Sequence, residues 1–430
     1  MTPAARVQAA IEILTSLQDT AQPIDRYLRD WFRARRYAGS KDRAAIAEYI
    51  YDVFRHRASY TWRMGSEHPR SLVIASLLSH ASADDVAMMF GGSRYGPAPL
   101  DDAEAHTIAN PPQGEPPLWV RGEFPAWLEA ELERSLGDDL LAEMQAMESR
   151  ASIDLRVNTL KASRTEILDR LRASGWEAAP TRFAPHGLRL QSAEGLSALQ
   201  QTDLFYAGAF EFQDEGSQIV AHLVGAKPGE RILDFAAGAG GKTLCITADM
   251  RNQGEIVAYD AAPERMKPLA PRARRAGAKI IRPMVDVNEL PPHAFDAVLV
   301  DAPCSGSGTW RRNPDAKWRL SPSALQRLRH MQAEILNHAG LFVRLGGRLI
   351  YATCSVLRSE NEDVVSEFLT RNAFSLIPVE RVWSSLIVSE ISPHAGQHFR
   401  ASPRKTGTDG FFVSIMLRDA PKAVASEVGV

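Results

Sequence analysis

Val298-Leu299-Val300-Asp301-Ala302-Pro303-Cys304-Ser305-Gly306 runs from three aliphatic residues into a carboxylate, a proline and a thiol. An apolar run without polar alternation is buried on both faces, as strands inside a parallel sheet are. Pro303 and Gly306 end it. Ligands of open α/β sheets collect just beyond the carboxyl ends of strands, so Asp301 and Cys304 are expected at a cleft. Leu349-Ile350-Tyr351-Ala352-Thr353-Cys354-Ser355 has the same form further on, and the two thiols are expected to face one cleft.

Around these runs the chain alternates strand and helix patterns from residue 207. Ile232 to Phe235, Glu255 to Asp260, Ile280 to Pro283, Ala297 to Asp301 and Arg348 to Thr353 read as strands. Leu325 to Val343 reads as a helix, with Ser321 and Pro322 at its start and Gly346-Gly347 after its end. The pattern predicts a doubly wound α/β domain over 207–420, with Phe374 to Val379 and Phe411 to Leu417 as an edge pair. Residues 150–206 read as a small α+β domain that opens with the alternating stretch Leu155 to Lys161. Residues 1–145 read as helical, with Ile46, Tyr49, Ile50 and Phe54 in helical spacing and a Gly/Pro-rich loop near 83–117. The tail, 421–430, reads as disordered.

Composition narrows the class. The 430 residues are 45% hydrophobic and 24% charged, with a formal net charge of -2, so any nucleic-acid contact must use local patches. No window approaches a membrane span and no secretory signal opens the chain, which leads us to expect a cytoplasmic protein with no membrane partner. Arg29, Arg33, Arg35, Arg36, Lys41, Arg43, Arg55, Arg57 and Arg63 are interleaved with Tyr27, Trp31, Phe32, Tyr60 and Trp62. That mixture suits RNA backbone and bases, or is a solvated helical face over a core. Arg311, Arg312, Lys317 and Arg319 form a second basic run that suits phosphate. Of the three cysteines, Cys245 lies in a helical segment and is expected as a small buried hydrophobe. No metal-ligand spacing appears, and no metal is expected.

Asp234-Phe235-Ala236-Ala237-Gly238-Ala239-Gly240-Gly241-Lys242-Thr243 follows the first strand of the α/β region and opens a helix. Small residues let backbone approach a ligand there, and the helix start offers free N–H groups. A phosphate P-loop would need glycine where Ala236 stands. Asp260 ends the next strand, where a carboxylate takes ribose hydroxyls, so a nucleoside-bearing cofactor fits better than a triphosphate.

These motifs together resemble the Sun family of S-adenosylmethionine-dependent RNA cytosine-5 methyltransferases. Gln213-Asp214-Glu215-Gly216-Ser217, the 234–243 loop, Asp260, Asp286, Asp301-Ala302-Pro303-Cys304-Ser305-Gly306, Arg311-Arg312-Asn313-Pro314-Asp315, Thr353-Cys354-Ser355, Glu360-Asn361-Glu362 and Thr408-Asp409-Gly410-Phe411-Phe412 occur in the family's order. The resemblance implies a Rossmann-like methyltransferase domain preceded by a small RNA-binding α+β domain and an all-α NusB-like domain, the arrangement of the family's bacterial 16S rRNA enzyme. It implies that Ala236, Ala237, Gly238, Ala239, Gly240, Gly241 and Lys242 wrap S-adenosylmethionine, that Asp260 holds its ribose, and that Asp286 lies beside the adenine. Cytosine carbon 5 is a poor nucleophile until a thiolate adds to carbon 6. The resemblance assigns that attack to Cys354 and assistance in release to Cys304, with Asp301 near the reacting groups, at the cofactor and on the cytosine ring edge. A cation such as Lys242 would favour the thiolate.

RNA is the expected partner, ribosomal RNA first and transfer RNA second, and the protein is expected to act as a monomer. Three other readings compete. A DNA cytosine-5 methyltransferase would attack with Cys304, after Pro303; an RNA-binding ribosome assembly factor would keep the fold without the chemistry; a small-molecule methyltransferase would need neither the thiol pair nor the amino-terminal half.

Overall fold

The computed structural model describes residues 1–20, 22–192, 196–387 and 396–420, and the tail at 421–430 lies outside them. The chain divides into two compact units, one of residues 1–150 with 309–322, the other of 151–308 with 323–430.

The first unit is helical, because its apolar residues recur at helical spacing and point one way. Ile13, Ile46, Ile50, Val73 and Ile74 are fully buried in its core. The 83–117 stretch is not a continuous loop: helices span Ala83–Met89 and Asp102–Ala109. Each starts with a reciprocal capping box, Ser82 with Asp85 and Asp101 with Glu104, and these signals outweigh the surrounding glycines and prolines. The interleaved aromatics are largely core: Trp31, Phe32 and Tyr60 are buried, with Arg35 over the Trp31 ring at 4.2 Å. Lys317 is buried in this unit as well and donates to the Arg55 carbonyl at 3.2 Å, so it is not an exposed phosphate ligand.

The second unit holds two sheets. A small antiparallel sheet has the order β2-β3-β1-β4, from β1 (Ile153–Val157), β2 (Ala178–Pro180), β3 (Gly187–Leu190) and β4 (Phe210–Phe212). β4 lies past the expected boundary at 206, because Leu155 to Val157 pair with Phe212 to Phe210.

The large sheet is built from β5 (Arg231–Asp234), β6 (Glu255–Tyr259), β7 (Ile281–Met284), β8 (Phe295–Asp301), β9 (Val343–Thr353), β10 (Phe374–Ile377), β11 (Phe399–Ala401) and β12 (Phe411–Arg418). Its order is β10-β12-β9-β8-β5-β6-β7, with β11 on β12. The five strands from β9 to β7 are parallel, and β12 joins them antiparallel to β9, with β10 antiparallel to β12 at the edge. Adjacent residues serve opposite faces: Ile232, Leu299 and Ile350 enter one apolar core, Leu233, Val298 and Leu349 the other. Two buried faces explain why these strands read as unbroken apolar runs. The helix expected at Leu325 to Val343 spans Pro322–Gly340, and Gly346 lies inside β9 at φ +67°. The chain order reverses between β5 and β8, which puts a crevice beyond their carboxyl ends.

Candidate active site

Beyond β5, the 235–240 loop turns tightly onto the helix Gly241–Asp249. Gly238 and Gly240 have φ of +50° and +80°, and a Cβ on Gly240 would come within 2.2 Å of Leu269. The loop is held by bonds from the Ala237 N–H to the Tyr259 carbonyl and from the Gly240 N–H to the Ala237 carbonyl, at 2.8 and 2.9 Å. Ala236, Ala237, Gly238, Ala239, Gly241, Lys242 and Asp301 line one cavity, and Gly240 does not.

Two buried carboxylates flank the loop. Asp260 accepts the Gly238 and Ala262 N–H groups at 3.0 and 2.9 Å, and Arg265 lies 3.3 Å from it. Asp234 accepts the Thr243 hydroxyl at 2.7 Å, while its other oxygen has no partner among the described residues. Burial pushes the Asp234 carboxyl up to about 6. Gln213, Ser217 and Arg265 also line the cavity. Gln213 lay within a recognised motif but had no assigned role; its amide donates to Ser217 at 3.0 Å, and its carbonyl accepts from Arg156 of β1. Asp286 is exposed past β7 and does not line the cavity. It accepts the Asn288 N–H at 2.9 Å as the cap of a short 3-10 turn.

The two thiols converge. β8 and β9 are parallel neighbours with Asp301 opposite Ala352, so each chain leaves the sheet at the same level. The Cys304 and Cys354 sulfurs are 3.4 Å apart, and both residues are partly exposed. The hydrogen bond to Cys354, then burial, and then the charges of Cys354 and Glu360 push the Cys304 thiol well above its ordinary value. Lys242 donates to Asp301 at 2.6 Å. Burial opposes the Lys242 charge, but Asp301 outweighs it and Cys354 adds to it, so the ammonium is held above its usual range.

Glu360 is fully buried beneath the thiols. It accepts the Ser305 N–H at 2.8 Å, the Gln332 amide at 2.9 Å, and both the Ser305 and Ser355 hydroxyls. Asn361 accepts the Thr353 hydroxyl at 2.6 Å and donates to the Ser355 carbonyl at 2.9 Å. The residues on both sides of Cys354, and the residue after Cys304, are thus tied to one acidic turn. The Glu360-Asn361-Glu362 motif carried this signal, but its spacing from the thiols gives no hint of direct contact.

A family model described as "16S rRNA methyltransferase RsmB/F" matches residues 221–417, and the ferredoxin-like domain of the same family matches residues 124–196. A "Ribosomal RNA small subunit methyltransferase B" of Xylella fastidiosa is 32% identical over 311 residues, which is 69% of each chain. The chain belongs to the RsmB/F methyltransferase family. Its small α+β domain is accordingly ferredoxin-like, and the family match begins among the helices at 124 rather than at 150. Other RsmB/F relatives include probable ribosomal RNA small subunit methyltransferases B of Bacillus subtilis, 32% identical over 61% of this chain, and of Synechocystis, 33% identical over 68%. The chain spans 59% and 66% of those relatives' lengths. The crystal structure of PH0851 superposes with a TM-score of 0.74 at 25% identity, covering 97% of this chain and 99% of that one. A methyltransferase homolog from Pyrococcus horikoshii gives a TM-score of 0.59 at 27% identity, over 70% and 97%. The methyl donor of this family is S-adenosylmethionine. Among the described residues no helix is long and apolar enough to cross a membrane.

Proposed function

We propose that this protein transfers a methyl group from S-adenosylmethionine to carbon 5 of a cytosine in small-subunit ribosomal RNA, through a covalent adduct with Cys354. The observation that carries the reading is the pair of thiols 3.4 Å apart at adjacent strand ends, next to the Lys242–Asp301 pair at the cofactor loop. The names of its relatives support ribosomal RNA of the small subunit as the substrate.

The cavity fits the donor chemically. Asp260, buried behind Gly238 and outside the cavity lining, is oriented by two N–H groups and would accept a ribose diol, and the unpartnered oxygen of buried Asp234, which lines the cavity, calls for a donor such as an ammonium. Bound there, S-adenosylmethionine supplies an electrophilic methyl on a sulfonium. Asp286 is proposed on the adenine side, outside the cavity lining.

The Cys354 thiolate adds to carbon 6 of the base, and carbon 5 becomes an enamine-type nucleophile that takes the methyl. The carbon 5 proton then leaves to a base, and the carbon–sulfur bond breaks to regenerate the thiolate. Cys304 keeps its proton, which makes it the poorer nucleophile and suits it to assist release. Asp301 accepts from the exocyclic amino group at the ring edge, and the Lys242 ammonium favours negative charge on sulfur. The base must leave its stack to reach these groups.

The same proposal makes the helices ahead of residue 124 a NusB-like domain that, with the ferredoxin-like domain, positions the RNA for a methyltransferase domain that follows β4. Incubation with small-subunit RNA tritiated at cytosine carbon 5 tests the reaction. One tritium released per methyl transferred is expected, and methylation with full retention of tritium would overturn it.

A further inference from the structure

Away from the thiol pair, three further ligand-type side chains meet on the other side of the helix Gly241–Asp249. Cys245 and Asp249 stand four residues apart on one face of that helix, and His222 is the last residue of the helix Glu215–His222. One ligand atom from each of the three lies within 4.8 Å of the other two. Asp249 contacts the His222 Nδ1 at 2.8 Å, and the Cys245 sulfur lies 4.0 Å from that same nitrogen and 3.8 Å from Nε2. His186 packs edge-on against His222 with ring centroids 5.7 Å apart. The sequence shows no metal-ligand spacing because these residues come from separate elements.

We propose that Cys245, His222 and Asp249 form a binding site for one zinc ion, with His186 or water as the fourth ligand. Thiolate, imidazole and carboxylate are ligands zinc takes in tetrahedral sites, where sulfur and nitrogen stand about 3.5 Å apart; here the Cys245 sulfur lies 4.0 Å from the His222 Nδ1 that Asp249 also faces. Charge allows the assignment: a dication balances a thiolate and a carboxylate with the imidazole neutral, just as a protonated His222 balances Asp249 without the ion. Asp249 gives a route in, since its side chain is 18% exposed and that of His222 only 4%. The ion would join the helix that opens at the cofactor loop to the helix after Gln213, stiffening the cavity from behind.

Cobalt(II) titrated into the metal-free full chain tests this, because thiolate-bound tetrahedral cobalt has a charge-transfer band and intense visible bands. The Cys304→Ser/Cys354→Ser double variant removes the competing thiols. We expect it to bind one cobalt per chain with both spectral features, and zinc to displace it. Adding Cys245→Ser should abolish the charge-transfer band, and Asp249→Asn, a milder change with unaltered far-UV dichroism, should weaken binding at least tenfold. Absence of the band in the double variant, or its survival after Cys245→Ser, would overturn the proposal.

Discussion

Cys304 and Cys354 touch one another, yet their surroundings differ. Cys304 lies over the buried Glu360 carboxylate, which opposes a thiolate, whereas Cys354 feels the Lys242 ammonium. On the proposed mechanism, Cys354→Ala abolishes any covalent RNA complex. Cys304→Ala forms the adduct but releases it slowly, so a protein–RNA band persists on denaturing gels. The reverse pattern would transfer the attack to Cys304. Lys242→Met should slow single-turnover methyl transfer at pH 7 by about tenfold or more.

At the scale of elements, the site depends on backbone segments that come too close for side chains. Gly308, in the turn after Cys304, donates its N–H to the Cys354 carbonyl at 2.9 Å and accepts from the Gly410 N–H at 2.7 Å. A Cβ on Gly308 would lie 2.1 Å from the Gly410 carbonyl oxygen, and backbone on both sides cannot yield. Gly308→Ala should therefore cost about 2 to 4 kcal/mol in denaturant unfolding and displace Cys354. Gly346 offers the contrast. Its φ is +67° but nothing lies closer than 4.0 Å to a Cβ there, so Gly346→Ala should cost only about 1 to 2 kcal/mol, from conformation alone, and leave methyl transfer unchanged. The Glu360 turn acts similarly through hydrogen bonds. Glu360→Ala leaves the Ser305 N–H without its acceptor and Gln332 with only the Pro303 carbonyl, and a loss of about 3 kcal/mol is expected.

At the scale of whole units, the helical unit carries an opposed pair of buried ionisable groups. Burial pushes the Glu123 carboxyl up to about 7 and the Lys317 ammonium down to about 8. A carboxyl raised above its unfolded value of 4.5 favours folding fully below 4.5 and loses that contribution as pH rises through 7. An ammonium lowered from 10.5 favours folding above 10.5 and loses that contribution as pH falls through 8. These two groups therefore place the unit's stability minimum between 7 and 8. Hydrogen exchange at the amides of the helix Ser40–Arg55 should report about 2 to 3 kcal/mol less protection at pH 7.5 than at pH 5, after correction for intrinsic exchange. Glu123→Gln should flatten that limb, and an unchanged slope would remove Glu123 as its source.

Features written in consecutive residues are legible in the sequence itself. The apolar runs of β5, β6, β8 and β9, the glycine loop and its helix, and the cleft beyond Asp301 follow from local period, backbone freedom and the rule for parallel sheets, each of which acts over a few residues. The capping boxes at Ser82 and Asp101 were equally local, but glycines and prolines masked them. Contacts between distant residues were not legible: Lys242 on Asp301, Glu360 under both thiols, Lys317 buried among helices, and His222 with Cys245 and Asp249. No period encodes such meetings, because they depend on which strands become neighbours and how far each turn carries its side chain. Folding thus joined two thiols that the chain already marked as important, and it also joined a histidine, a thiol and a carboxylate that the chain did not mark at all.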